Sequence, residues 1–141
     1  MKLKNPLASS FLAIALLFSG YAYAEKQKVV IQVSTGDEQS QTIALNNAVN
    51  VQKSLGIDNV DIEIVAYGPG LGLLTKKSPN VQRVESLALQ NITFSACGNT
   101  MAKVEKKTGK KPALAEGVGV VEAGVIRIMH LQNEGYAYIR P

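Results

Sequence analysis

The chain has 141 residues, a formal charge of +4 and a pI near 9.2, with one cysteine, one histidine and no tryptophan. That length suits one domain with a real core, and the mild basicity calls for no nucleic-acid partner. A single cysteine beside a single histidine excludes both an internal disulfide and a Cys/His zinc cluster.

The first residues read as a secretory signal peptide spanning residues 1–24. Lys2 and Lys4 form a positive start, Leu7 to Phe18 is apolar apart from Ser9 and Ser10, and Ala22-Tyr23-Ala24 is a small-residue cleavage site. The apolar run falls short of the ~18 residues a membrane span needs, so no stable membrane insertion is expected after cleavage. Cleavage after Ala24 leaves 141 − 24 = 117 residues, Glu25 to Pro141, as one domain; losing Lys2 and Lys4 lowers the formal charge from +4 to +2. The expected location is periplasmic or secreted. There an unpaired thiol is a liability: it is buried, paired with another molecule, or kept as a working group.

Lys28–Val33 is the first predicted strand, β-branched and nearly continuous in apolar residues, as in a parallel sheet buried on both faces. Ser34-Thr35-Gly36-Asp37 turns the chain, and Asp37 or Ser40 caps a helix. That helix carries Ala44, Ala48, Val51 and Leu55 on one face, keeps Asn46, Asn47, Asn50 and Lys53 wet, and stops at Gly56. Asp61–Ala66 is the second strand. Tyr67-Gly68-Pro69-Gly70-Leu71-Gly72 is a shaped or mobile loop, and Leu71, Leu73 and Leu74 make an apolar knob on it. After Lys76-Lys77-Ser78-Pro79, the stretch Asn80 to Gln90 reads as a helix facing inward with Val81, Val84, Leu87 and Ala88. A third strand, Ile92–Ala96, runs into Cys97. Gly98 permits a sharp turn, and Asn99 or Thr100 caps a helix through Met101, Val104 and Lys107 that ends near Thr108-Gly109. Lys110-Lys111-Pro112 is a polar hinge, and Val118–Val121 a fourth buried strand. Gly124 opens a last helix whose inner face is Val125, Ile128 and Met129, with Leu131 a further candidate; Tyr136–Ile139 closes as a fifth strand. Strands alternate with helices throughout, so the expected class is α/β: a three-layer α/β/α sandwich with a five-stranded, mainly parallel sheet.

Cys97 is the residue around which function is sought. In open α/β sheets ligands bind at the carboxyl edge of the strands, and a helix start favours a thiolate over a thiol. Lys103, Lys106 and Lys107 on the following helix add to that bias. The competing expectation is that Cys97 fills a small apolar site. His130 is structural, unless it meets Cys97 in a thiol–imidazole pair. Ser34-Thr35-Gly36 resembles a phosphate loop, but Asp37 and Glu38 place negative charge there, and a simple turn is the better reading. Gly68 to Gly72 is no dinucleotide fingerprint, since Pro69 lacks an N–H. The lysines at 103, 106, 107, 110 and 111 are a solvated face or a steering surface for an anionic partner. Asn91-Ile92-Thr93 matches a glycosylation sequon where a strand is expected to begin.

Taken together the mature chain resembles the DsrE family, the DsrE/DsrF/DsrH and TusD-like sulfur-relay proteins, and within it a branch of small exported members. The resemblance rests on Val29 to Val33, Leu45-Asn46-Asn47-Ala48, Val65 to Leu71, Phe94-Ser95-Ala96-Cys97-Gly98-Asn99-Thr100 and Glu134 to Pro141. It implies a five-stranded parallel sheet in a three-layer sandwich and a homo-oligomer. It also implies a cysteine, here Cys97, that carries sulfur as a persulfide between donor and acceptor proteins or thiols. Gly98, Asn99, Thr100 and Lys103 would support the anion, and Gly68, Pro69, Gly70 and Leu71 would cover it, with no cofactor and no metal. Relay members commonly follow their cysteine with an arginine-rich segment; this chain has Lys103 and Lys106 instead. The alternatives are a non-catalytic oligomeric binding module with a buried cysteine, or a thiol redox sensor.

Overall fold

The structure, a computed structural model, describes residues 25–141; the expected export signal lies outside the described residues. The elements in order are β1 (Gln27–Val33), α1 (Glu38–Leu55), β2 (Val60–Ala66), the 3-10 helix η1 (Gly68–Leu74), α2 (Val81–Ala88), β3 (Ile92–Cys97), α3 (Gly98–Thr108), β4 (Val118–Val121), α4 (Gly124–Asn133) and β5 (Ala137–Ile139). The five strands form one sheet in the order β4-β3-β2-β1-β5, every pair parallel. The three-layer α/β/α fold with a five-stranded sheet is therefore present, and its parallel character is complete.

The handedness of parallel crossovers decides where the helices go. From β1 to β4 the chain steps three times in one direction, so α1, α2 and α3 cover one face with η1. The return from β4 to β5 runs the other way and carries α4 to the opposite face. Pairing aligns Ile139, Ile31, Ile64, Phe94 and Val118 in a single row across the sheet. That row meets Ala44, Leu45 and Ala48 of α1, Leu71, Leu73 and Leu74 of η1, and Val84 and Leu87 of α2 in the main core. Under α4 the apolar contacts reduce to Val30, Val65, Ile128 and Leu131, with Tyr67 and Tyr136 packed against them.

Local chemistry fixes the helix ends. Asp37 caps α1, accepting from the Ser40 N–H at 2.8 Å, which holds its carboxyl below the usual range. Gly109 (φ 72) supplies the left-handed turn that ends α3, and Gly56 ends α1 at a positive φ of 92 that a side chain would strain.

Several expectations need correction. Leu71, Leu73 and Leu74 are not an exposed knob; all three are buried in the main core. The loop winds into a 3-10 helix, which stacks residues three apart on one face, and Gly70 lies so close to the Val33 carbonyl that any side chain there would overlap it. β4 is a half-exposed edge strand rather than a buried one, with Val120 57 % exposed. The inner face of α4 is Gly124, Ile128 and Leu131; Val125 and Met129 point outward instead. Leu55 on the last turn of α1 lies beyond the core and is exposed, while the unexpected Leu45 is fully buried. α2 is shorter than Asn80–Gln90, ending at Ala88.

Candidate functional site: a thiol between two helix starts

β3 ends and α3 begins at Cys97, which is itself the N-cap residue of α3. The cap was expected at Asn99 or Thr100; instead the sulfur occupies the place where a capping oxygen normally sits. The sulfur makes no capping hydrogen bond. The Thr100 hydroxyl and the N–H groups of Thr100 and Asn99 are the neighbours at the helix start that favour its anion. Asn99 contributes least, because its N–H also donates to the Glu122 carbonyl at 3.1 Å.

A second helix start meets the same atom from the other side of the sheet. Gly124, the first residue of α4, turns its N–H toward Cys97. It comes so near that a Cβ there would lie 3.3 Å from the Cys97 Cβ and 3.1 Å from the Tyr67 ring. Both helix dipoles thus present their positive ends to one sulfur. Burial pushes the thiol up, but the hydrogen bonds from Thr100, Gly124 and Asn99 outweigh it, and the net direction is down from the ordinary value. Cys97 is only 5 % exposed and lies at the carboxyl edge of the sheet, where β3 ends.

Thr100 is held in turn. Its oxygen accepts the Gly68 N–H at 2.9 Å, which leaves the hydroxyl proton free to aim at sulfur. Of the expected covering segment, Gly68 reaches the site in this way. Pro69 packs near Gly36, Gly70 presses on β1, and Leu71 is in the core. Gly98 lies against the Val121 and Glu122 carbonyls, where a side chain would crowd. Lys103 is exposed, and among the described residues it forms no ion pair. His130 is exposed on the last turn of α4, six residues or about 9 Å of helix beyond Gly124, so it does not pair with Cys97.

Sequence reasoning missed the polar system beside the thiol. On the α4 face of the sheet, Glu63 accepts from the Ser95 hydroxyl at 2.6 Å and from Arg127 Nε and Nη2 at 2.8 and 2.6 Å. Glu63 is buried while Arg127, on α4, keeps about a third of its side chain in solvent (34 % against 4 %). The paired carboxylate raises the guanidinium's pKa further. Tyr138 of β5 donates to Gln32 at 2.8 Å in the same layer. Alternation along β2 placed Glu63 in a strand that otherwise reads as buried, and that charge among valines and isoleucines was the available signal. Gly124 could have been found from topology, since α4 must begin at the same sheet edge as α3.

Among the described residues no group of three His, Cys, Asp or Glu could hold a metal ion, and no helix is long and apolar enough to cross a membrane.

Comparison with known proteins places this arrangement. Residues 27–141 match the profile of the DsrE/DsrF-like family. The chain is similar to a solved protein of unknown function, MTH1491 from Methanobacterium thermoautotrophicum. The two share 35 % identity, with a TM-score of 0.74, over 82 % of this chain and all (100 %) of that one. It also shares its fold with the ychN protein from E. coli, at 15 % identity and a TM-score of 0.62, over 83 % of this chain and 99 % of the other. No curated protein matches.

Proposed function

The chain belongs to the DsrE/DsrF-like family, and from that premise we propose that it is a sulfur carrier working through Cys97. The observation that supports this is the convergence of two helix starts and Thr100 on one sulfur at the sheet edge. Such a setting favours the thiolate over the thiol relative to a free cysteine. The Cys97 thiolate attacks the outer sulfur of a donor persulfide, the donor's S–S bond breaks, and the donor leaves as its own thiolate. Cys97 then carries the persulfide, whose anion gains from the same N–H groups, until an acceptor thiolate takes the outer sulfur by the same exchange. No net oxidation occurs, so the residues alone suffice.

The test is mass spectrometry after incubation with a sulfane-sulfur donor. Wild type gains one sulfur atom on the Cys97 peptide, and Cys97→Ser gains none while keeping its fold. If Cys97 resists alkylation until the protein unfolds, the rival reading, a binding module with an inert cysteine, takes its place. The low exposure of Cys97 is what favours that rival.

Two further parts of the proposal rest on other features. The sequence pattern of residues 1–24 supports export to the periplasm or beyond, tested by the intact mass of the recovered protein. Self-association is supported by Val125, Ile126 and Met129, which leave an apolar surface uncovered on α4. Light scattering that shows a monomer at micromolar concentration would count against it.

A further inference from the structure

At the far end of α3 from the thiol lies a cavity of about 530 Å³, the size of a small-molecule site. Its lining comes from three separate stretches: Thr75 and Lys77 after η1, Val104 and Thr108 on α3, and Lys110 to Ala113 after it. Val104, Pro112 and Ala113 supply the apolar part of the lining, and the exposed residues Lys77, Lys110 and Lys111 supply its charge.

The walls are fixed. Lys76 N–H donates to the Ala113 carbonyl and Ala115 N–H to the Leu74 carbonyl, both at 2.9 Å, clamping the α3–β4 linker to the end of η1. The Thr108 hydroxyl bonds to the Val104 and Lys110 carbonyls at 2.8 and 3.0 Å, shaping the turn that leaves the helix. The cavity is thus formed before any ligand arrives.

The charge is unbalanced in a way that secondary structure does not explain. Lys106 and Lys107 sit in the last turn of α3, where they complement the helix dipole. Lys110 and Lys111 lie past the helix end, and Lys77 comes from another segment. Among the described residues none of these three pairs with a carboxylate, and no acidic side chain lines the cavity. The described residues carry a formal +2, so without these three lysines the rest of the domain is net negative, at −1. Positive charge is concentrated where the lining is also apolar.

We infer that this cavity binds a small amphipathic anion, an apolar body bearing one carboxylate, sulfonate or phosphate head. Lysine gives a point charge without the planar fork of arginine, which suits any of those heads. No aromatic side chain lines the cavity, so a stacked nucleobase is not the occupant. The site is separate from Cys97, since Val104 is seven residues, about 10 Å of helix, along α3.

Calorimetric titration of the mature chain with anilinonaphthalene sulfonate tests this, with uncharged N-phenylnaphthylamine as the comparison. One equivalent of the sulfonate binds, and added salt weakens it. Lys110→Glu with Lys111→Glu lowers the affinity about tenfold, by reversing two lining charges. Ala113→Trp, an exposed position, fills the cavity and also lowers it. Met129→Glu, on the separate apolar surface of α4, leaves it unchanged. Displacement by hexanoate, hexyl sulfate or hexyl phosphate identifies the preferred head. The inference is overturned if the lysine and Ala113 variants bind as wild type does, if Met129→Glu abolishes binding, or if the uncharged probe or hexanol competes as well as its anionic counterpart.

Discussion

The two faces of the sheet are built on different terms. Under α1, α2, α3 and η1 twenty buried apolar residues form one continuous core; under α4 the buried apolar set is four. The α4 face instead buries Gln32, Glu63 and Ser95, with no buried side-chain polar atom left unpartnered among the described residues. It also leaves Val125, Ile126 and Met129 of α4 in solvent. The first face therefore holds the fold together and the second carries charge, hydroxyls and open apolar surface. Cys97 stands where the two meet, taking one helix start from each.

The largest effect expected from this contrast is on stability. Phe94→Ala removes a fully buried ring from the closed face and costs about 3–5 kcal/mol in urea unfolding. A cost near that of a surface change would dissolve the distinction. On the other face, Arg127→Met leaves Glu63 buried with Ser95 as its remaining partner and costs about 2 kcal/mol. Adding Glu63→Gln to that variant recovers most of the loss, since the burden is the stranded charge; if it recovers nothing, the polar layer contributes by packing alone.

A smaller effect belongs to the thiol and shows as pH dependence. The folded protein releases the Cys97 proton at lower pH than the unfolded chain, which holds it to about 8.5. The stabilisation is therefore fully present above that pH and is lost as pH falls through the folded value. Unfolding of wild type and Cys97→Ser, compared from below neutral to pH about 9, shows the difference growing with pH. A difference that shrinks would reverse the assignment. Thr100→Val, which deletes the hydroxyl but keeps the shape, moves the midpoint of alkylation rate against pH upward. Smallest of all is Met129→Glu, which changes stability by less than about 0.5 kcal/mol yet dissociates any oligomer built on α4.

Much of the closed face was legible in the sequence because burial there obeys simple periods. Val29 to Val33 and Ile62 to Ala66 announce two-sided strands, and Ala44, Ala48, Val84 and Leu87 follow helical spacing. Cys97 was placed at its strand-to-helix turn by the apolar run Ile92 to Ala96, by Gly98 and by the polar pair Asn99 and Thr100. What escaped notice depends on contacts across the chain. Leu71, Leu73 and Leu74 sit beside glycines and a proline, which read as loop, and only packing of η1 against β2, β3, α2 and α3 shows them to be core. Val125 and Met129 share a helical stripe with Ile128, but one helix on a sparse face turns just part of that stripe inward. The second helix start at Cys97 comes from Gly124, twenty-seven residues on, and no local pattern joins them.

The bond from the Gly68 N–H to Thr100 makes the sulfur a gauge. Thr100 faces the thiol with its proton because its oxygen is already engaged by the first residue of η1. If η1 shifts, that engagement ends, the hydroxyl is free to rotate, and the anion loses the largest single influence that holds the Cys97 pKa down. Acidity at Cys97 thus registers how η1 is seated, although η1 itself contributes no charge. The ultraviolet absorbance of the thiolate at fixed pH is then an optical readout of that segment, available in the unlabelled protein.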